Sequence, residues 1–323
     1  MTYEKPILAI IGPTAVGKTA VAITLAQQVN GEIIGLDSRQ IYKGLDIGTA
    51  QPSKEEMELI PHHLVAVREP NELVSAGGYA HLVEECIHDI SDRGKNPILC
   101  GGAGLYLEAL TKGIFEGSAS DLEIRARLNS DYDQDPEASF NKLEEIDPDY
   151  AEIVHINNKK RLVRALEIYE LTGKPPSVLY ANQPSIQPRH GEQVLNHAFC
   201  VILLSIDKDT LEKRIRSRTQ KMLANGWIEE TKILRDKYSV AEAHALDSIG
   251  YRQIGQHLRG EYSLAEVEEE IIVRTRQYAK RQMTWFRNRS NPVELDVEKF
   301  DNVKVIADEI ISIWKKFKLH PKG

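Results

Sequence analysis

Unbroken apolar runs alternate with amphipathic stretches through the first third of the chain. Ile7–Ile11 is continuously apolar, so residues 6–12 are expected to form a buried strand. Residues 20–29 repeat their apolar positions at helical spacing, and residues 32–36 read as a second short strand ending at Asp37. Residues 64–67 are a candidate third strand. Residues 79–91 place Leu82, Val83, Cys86, Ile87 and Ile90 along one helical face, and residues 97–100 read as another buried strand. That strand runs into Gly101-Gly102-Ala103-Gly104, after which residues 105–110 begin a helix. Strand and helix in alternation imply a parallel sheet with helices on both faces. Ligands of such sheets sit beyond the carboxyl ends of the strands.

The pattern changes near Gly113. Residues 118–180 read as helical, acidic and polar-surfaced, ending in Gly173-Lys174-Pro175-Pro176. Residues 182–196, with Pro184 and Pro188, show no periodicity, and residues 198–206 are a Val-, Ile- and Leu-rich strand. We read 114–197 as a helical insertion between two parts of one α/β core, 1–113 and 198–323. Further helices are expected at 208–225, 227–238, 249–259, 264–287 and near 302–316.

Composition narrows the classes. The chain has 323 residues, of which 41% are hydrophobic, enough for a sizeable core. No stretch approaches the roughly 18 apolar residues of a membrane span. The first strand begins within a few residues of Met1, leaving no expected room for a signal peptide. Cys86, Cys100 and Cys200 are scattered and form no C-x-x-C pair, which suggests reduced thiols and a cytoplasmic address. The net charge of −7 conceals a strong asymmetry: residues 121–152 hold 11 acids against 3 bases, which leaves the rest near neutral. Within that remainder, residues 211–221 carry Lys213, Arg214, Arg216, Arg218 and Lys221 against Glu212 alone. Residues 274–289 carry six bases and no acid. Local clusters of this kind, not the overall pI, are what contact phosphates.

Residues Gly12-Pro13-Thr14-Ala15-Val16-Gly17-Lys18-Thr19 match G-x-x-x-x-G-K-[ST] between an apolar strand and an amphipathic helix. Such a P-loop turns backbone N–H groups inward on an anion. Lys18 adds a point charge, and Thr19 offers a hydroxyl to Mg²⁺ at a helix N-terminus. The loop does not say whether the phosphates belong to a nucleotide. The fold class expected is therefore α/β: a P-loop core with a parallel sheet flanked by helices, a helical insertion domain and C-terminal helices.

Asp37, at the end of the second strand, should face the loop's ligand as a metal ligand, a general base or a cap of the next segment. Motor-type and GTPase P-loop proteins need an acid ending an apolar strand to hold their metal. Here Ile98-Leu99-Cys100 runs straight into glycine, which argues against an ATP-driven machine. Arg214 and Arg218, four residues apart, share a helical face and could reach transferring phosphates. Residues 275–287 interleave bases with Tyr278, Trp285 and Phe286, a mixture suited to nucleic acid, although a solvated basic face over a packed aromatic core gives the same pattern.

Together these motifs resemble the tRNA dimethylallyltransferase (tRNA isopentenyltransferase) family. The resemblance rests on the P-loop, Asp-Ser-Arg-Gln-Ile-Tyr (37–42), Asp-Ile-Gly-Thr-Ala (46–50), Pro-His-His-Leu (61–64) and Gly-Gly-Ala-Gly-Leu-Tyr (101–106). It continues in Lys-Arg-Leu-Val-Arg-Ala-Leu-Glu (160–167), Ile-Gly-Tyr-Arg-Gln (249–253) and Ala-Lys-Arg-Gln-x-Thr-Trp (279–285). It implies transfer of a dimethylallyl group from dimethylallyl diphosphate to N6 of the adenine just 3′ of a tRNA anticodon. The target base would be flipped into the core and the anticodon stem-loop held by the insertion and C-terminal helices.

By that match Asp37, Lys18 and Arg218 are catalytic, the loop binds diphosphate where relatives hold ATP, and Mg²⁺ sits on Thr19. The tRNA contacts implied are Asp37, Ser38, Arg39 and Gln40; Ala103 and Arg125; and Lys160, Arg161, Leu162, Val163 and Arg164. Asp247, Ser248, Ile249, Gly250, Tyr251 and Arg252 follow, then Lys280, Arg281, Gln282, Thr284, Trp285 and Arg287. The enzyme is expected to act as a monomer. One departure stands out: the family usually has Thr where this chain has Ala103, so a hydroxyl donor near the leaving-group oxygen is missing. Two other enzymes remain as alternatives, an isopentenyltransferase of free adenine nucleotides and a small-molecule P-loop kinase.

Overall fold

A computed structural model describes residues 6–112, 121–181 and 198–319. The chain divides into two compact units: residues 1–73, 81–108 and 196–323 form one, and residues 74–80 and 109–195 the other. In chain order the elements are β1 (Ile7–Ile11), α1 (Lys18–Val29), β2 (Gly31–Leu36), α2 (Lys54–Leu59), β3 (His62–His63), α3 (Ala76–Asp92) and β4 (Asn96–Gly101). Next come α4 (Gly104–Lys112), α5 (Leu122–Gln134), α6 (Pro136–Ile146), α7 (Pro148–Ala151), α8 (Lys159–Thr172) and α9 (Pro176–Ala181). The chain then forms β5 (Phe199–Ser205), α10 (Lys208–Ala224), α11 (Trp227–Lys237), α12 (Tyr251–Leu258), α13 (Leu264–Arg289), β6 (Val293–Asp296) and α14 (Val303–Leu319).

The first unit is built on a six-stranded sheet, ordered β3-β2-β4-β1-β5-β6, whose paired strands all run parallel. β1 lies between β4 and β5, with Ala9 opposite Leu99 on one side and Val201 on the other. A central parallel strand is buried on both faces, which is why its sequence is continuously apolar and not alternating. On one face Leu8, Ile10, Ile98, Ile202 and Leu204 pack with Ala22 and Leu25 of α1 and with Ile306, Ile310 and Trp314 of α14. Each buried Leu or Ile side chain among them contributes about 1.5–3 kcal/mol by leaving water. The Trp314 indole N–H donates to the Pro6 carbonyl at 2.8 Å, which ties the last helix to the entry of β1. Among the described residues no helix is long and apolar enough to cross a membrane.

Two strands depart from the sequence pattern. The third strand forms at His62–His63, not at 64–67. Leu64 and Ala66 adopt positive φ values of 60° and 51°, which breaks the extended run. The amides of Ala66, Val67 and Arg68 donate instead to the carbonyls of Gln40 and Ile41, so this segment braces the loop after Asp37. The sixth strand, β6, escapes the pattern because it has four residues, half of them acidic, and forms a partly exposed sheet edge.

The second unit is helical, with Leu128, Leu143, Val154, Leu162, Val163 and Leu166 in its core. Much of its acidity is local helix chemistry. Asp121, Asp135 and Asp147 are N-caps whose carboxylates accept backbone N–H groups, and Pro136 and Pro148 open the helices that follow. The buried Glu167 carboxylate accepts from Arg125 at 2.6 Å, from Arg164 at 2.7 Å and from the Asp121 N–H at 3.1 Å.

At the amino-terminal edge of the sheet, Glu32 is buried and accepts from both terminal nitrogens of Arg93 (2.6 and 2.7 Å), from Lys95 (2.6 Å) and from His63 (2.7 Å). The Arg93 hydrogen bonds, joined by those of Lys95 and His63, hold its carboxyl well below the usual carboxylate range. A depressed carboxylate stabilises the fold above its unfolded pKa, and that contribution fades as pH falls. Glu32→Gln is expected to lower unfolding free energy by about 2 kcal/mol at neutral pH in urea titrations. The gap from wild type should narrow on acidification below about pH 4.

Candidate active site

β1 delivers the chain into the glycine-rich loop 12–19. Gly12 has φ +154°, and a Cβ there would lie 2.6 Å from the Leu204 carbonyl of β5, so only glycine fits this close approach. Gly17, at φ +107°, caps α1, whose first turn contains Lys18 and Thr19. Lys18 Nζ donates to the carbonyls of Gly12 and Pro13 at 3.0 and 2.8 Å, so its ammonium lies under the loop. Burial pulls its pKa down to about 8, with Arg218 adding to that shift and Cys100 and Asp37 opposing it.

Helix α10 brings two arginines to the same loop. Arg214 donates to the Val16 carbonyl at 3.0 Å, and Arg218 donates to Thr14 Oγ1 at 2.5 Å. Burial also lowers the Arg218 pKa, opposed by the Asp37 carboxylate. Asp37 follows the last residue of β2, and its Oδ1 accepts the N–H groups of Arg39 (2.8 Å) and Gln40 (3.3 Å). This turn fixes the carboxylate while Oδ2 takes part in no hydrogen bond among the described residues.

Two phenols lie near enough to Asp37 to feel its charge. Burial pushes Tyr106 up to about 12, with Tyr42 and Asp37 adding and Arg39 opposing. Burial raises Tyr278 as well, and the Asp37 charge reinforces it. Both are therefore neutral hydroxyls at physiological pH. Gln282, one turn beyond Tyr278 on α13, is buried: its Oε1 accepts the Thr14 N–H at 2.9 Å and its Nε2 donates to the Gly102 carbonyl at 2.9 Å. Thus the structure brings Thr14, Lys18, Asp37, Arg218 and Gln282 together at the carboxyl edge of the sheet. Neither tyrosine was among the expected site residues: Tyr278 was read only as one aromatic of the basic run and Tyr106 only as the end of the 101–106 motif. For Tyr278 the available signal was its four-residue spacing from Gln282 on one helix.

The remaining sequence candidates divide by environment. Gln40 donates through Nε2 to the carbonyls of Thr49 and Ala50. The 46–50 segment is in turn held by Glu230, which accepts from the N–H groups of Ile47 and Gly48 and from the Tyr251 hydroxyl. Tyr251 is fully buried, Ser248 donates to the Ala245 carbonyl, and Arg252 forms a two-armed pair with Asp247 at 2.7 Å. Lys280, Arg281, Thr284 and Arg287 are exposed on α13, with Arg287 paired to Glu294. Trp285 is half-buried under the Arg289 guanidinium at 4.7 Å, and the Arg289 side chain reaches Glu108. In the helical unit Lys160 and Arg161 are exposed, whereas Arg125 and Arg164 are paired to Glu167. Leu162 and Val163, expected as tRNA contacts, have their side chains in that unit's core. Ala103 stands just before α4 and donates its N–H to the Leu36 carbonyl. Among the described residues no group of three or more His, Cys, Asp or Glu is arranged to hold a metal.

The sequence model of the IPP transferase family matches residues 40–289. A tRNA dimethylallyltransferase of Acetivibrio thermocellus is 41% identical over 306 residues, covering 94% of this chain and 96% of that protein. One from Geobacillus thermodenitrificans is 41% identical over 300 residues, covering 91% and 92%. Among solved structures, the tRNA isopentenylpyrophosphate transferase of Bacillus halodurans is 34% identical with a TM-score of 0.68, covering 98% of this chain and all of that one. A eukaryotic dimethylallyltransferase, described as acting on tRNA, is 30% identical with a TM-score of 0.78, covering 96% and 80%. The chain belongs to the IPP transferase (tRNA dimethylallyltransferase) family.

The lowered Lys18 pKa has two measurable consequences. An anion on the loop favours the charged ammonium, so calorimetric binding of inorganic diphosphate should weaken several-fold as pH rises through about 8. Lys18→Met should lower affinity and remove that step. Without an anion the sign reverses. The cost of burying the charge applies below about 8 and is relieved toward the ordinary lysine value of 10.5, so wild-type unfolding free energy should gain a rising contribution over that interval that Lys18→Met lacks.

Proposed function

We propose that this member of the family transfers a dimethylallyl group from dimethylallyl diphosphate to N6 of the adenine just 3′ of the anticodon in tRNA. The products are N6-(dimethylallyl)adenosine and diphosphate. The observation that carries this reading is the convergence of one oriented carboxylate, Asp37, with a desolvated cationic cradle formed by Lys18, Arg218 and the loop. That arrangement suits a reaction in which a proton leaves on one side and an anion on the other. The absence of an acid at the end of β4, where Cys100 leads into Gly101, speaks against a kinase that holds its metal there.

The exocyclic amine of adenine is a poor nucleophile because its lone pair is delocalised into the ring. Asp37 accepts a hydrogen bond from it, and its carboxylate takes the proton as the C–N bond forms. The bond between the allylic carbon and the diphosphate oxygen breaks, and the electron pair leaves with the diphosphate. Lys18, Arg218 and the loop amides receive that growing negative charge. Thr19 suits Mg²⁺, because a single hydroxyl in the first turn of α1 matches an ion that takes most of its ligands from phosphate and water. Bound there, Mg²⁺ would add positive charge beside the leaving group. Backbone phosphates of the anticodon stem-loop are neutralised in this reading by exposed cations, Lys280 and Arg281 on α13 and Lys160 and Arg161 on α8. The protein acts in the cytoplasm as a monomer.

Incubation of the protein with unmodified tRNA and dimethylallyl diphosphate, without ATP, should yield the prenylated nucleoside by mass spectrometry. A requirement for ATP would sink the reading. Asp37→Asn should slow single-turnover transfer by about 10³-fold while tRNA affinity stays within a few-fold. Ala103→Thr restores a hydroxyl before α4 and is expected to speed single-turnover transfer by at least about tenfold with donor affinity little changed. An unchanged rate would show that the missing hydroxyl has been replaced by another donor.

A further inference from the structure

The family resemblance puts Gln282 among the tRNA contacts, but in the structure its amide is engaged inside the protein. It is only 6% exposed, and it joins segments 268 and 180 residues away in sequence, Thr14 of the phosphate loop and Gly102 after β4. The orientation of the amide follows from its partners. A backbone N–H can only donate and a backbone carbonyl can only accept, so Oε1 must meet Thr14 and Nε2 must meet Gly102. The fit is close enough that a Cβ on Gly102 would lie 2.2 Å from Nε2.

Each end of this clamp leads to a reacting group. On the loop side, the Thr14 backbone is fixed by Gln282, and the Thr14 hydroxyl receives Arg218 at 2.5 Å. On the other side, the N–H groups of Gly102 and Ala103 both donate at 3.0 Å to the carbonyl of Leu36, the residue before Asp37. One buried amide thus spans the leaving-group side and the base side of the site.

We propose that Gln282 is a positioning residue that sets the separation between the Asp37 carboxylate and the Arg218–Thr14 end of the diphosphate cradle. This rests on the transferase reading above. A planar amide is required because the clamp must accept at one end and donate at the other. Methionine can do neither. Glutamate can accept from Thr14, but it meets the Gly102 carbonyl with an oxygen unless it is protonated. A small misplacement of reacting groups is enough to lower a rate substantially without changing what binds.

The test compares Gln282→Met and Gln282→Glu with wild type for single-turnover prenyl transfer, inorganic diphosphate affinity by calorimetry, anticodon stem-loop affinity by fluorescence anisotropy, and melting temperature. Gln282→Met should lower transfer by about 30-fold and weaken diphosphate several-fold, with stem-loop affinity within about twofold. For Gln282→Glu, the ratio of its rate to wild type should climb as pH is lowered from about 8 to about 6 and the buried carboxyl becomes a donor. Unchanged diphosphate affinity and transfer in both variants would overturn the proposal. A loss of stem-loop affinity matching the loss in rate would also overturn it, by making Gln282 an RNA contact. If wild type binds diphosphate but transfers no prenyl group, the functional reading fails alone, and the diphosphate affinities of the two variants still decide the role of Gln282.

Discussion

A buried cation at the end of a parallel sheet calls for an anion, and that demand organises the core of this protein. Lys18 sits under its own loop, and burial lowers its pKa to about 8. Arg218 is depressed for the same reason, and its charge further disfavours the Lys18 ammonium. Asp37 is the carboxylate that opposes both depressions. The site therefore holds positive charge that the protein only partly compensates, which is the electrostatic condition for gripping a multiply charged phosphate group. β1 must enter between β4 and β5 for this to happen, because Gly12 needs the Leu204 carbonyl at its back and Asp37 needs the end of β2 two strands away.

The basic run on α10 is two rows of side chains with different duties. Glu212, Arg216 and Gln220 are spaced by four and meet Arg276, Glu269 and Glu268 of α13, an antiparallel series that fixes the register of the two helices. Arg214 and Arg218 form a second row, offset by two residues and so turned roughly 200° around the helix. They reach the glycine-rich loop 12–19. Individually the exposed pairs contribute little to stability. Their consequence is positional: with the register of α10 against α13 set, Arg218 and Gln282 both arrive at Thr14, one at its hydroxyl and one at its amide.

What could be read from sequence follows from how local the determining chemistry is. β1, the loop and α1 were legible because apolar run, glycine spacing and helical period lie within about twenty consecutive residues. Asp37 was legible because a strand's carboxyl end is a place in the topology as well as in the chain. The third strand was misplaced because Leu64 and Ala66 take left-handed backbone that the apolar pattern of 64–67 does not signal. β6 was missed because a four-residue edge strand has too few positions to show a period. Gln282 could be found as part of a motif but not understood from it, since its partners lie 268 and 180 residues away. For Leu162 and Val163 a contiguous motif was taken whole, although the helical period turns their side chains into the unit's core.

The acidic composition illustrates why charge must be assigned before it is interpreted. A net charge of −7 would by itself argue against a nucleic-acid partner. In the helical unit, however, Asp121, Asp135 and Asp147 are consumed as N-caps, and Glu123, Glu137 and Asp149 occupy first turns where the helix dipole favours an anion. Glu167 lies buried between two arginines. These carboxylates answer to backbone amides and internal cations, and they would be needed whatever the protein bound. The exposed Lys160 and Arg161 carry no such internal obligation in their side chains among the described residues. The charge that a polyanion would meet is therefore set by a few surface cations, while several of the acids that lower the pI serve the starts of helices.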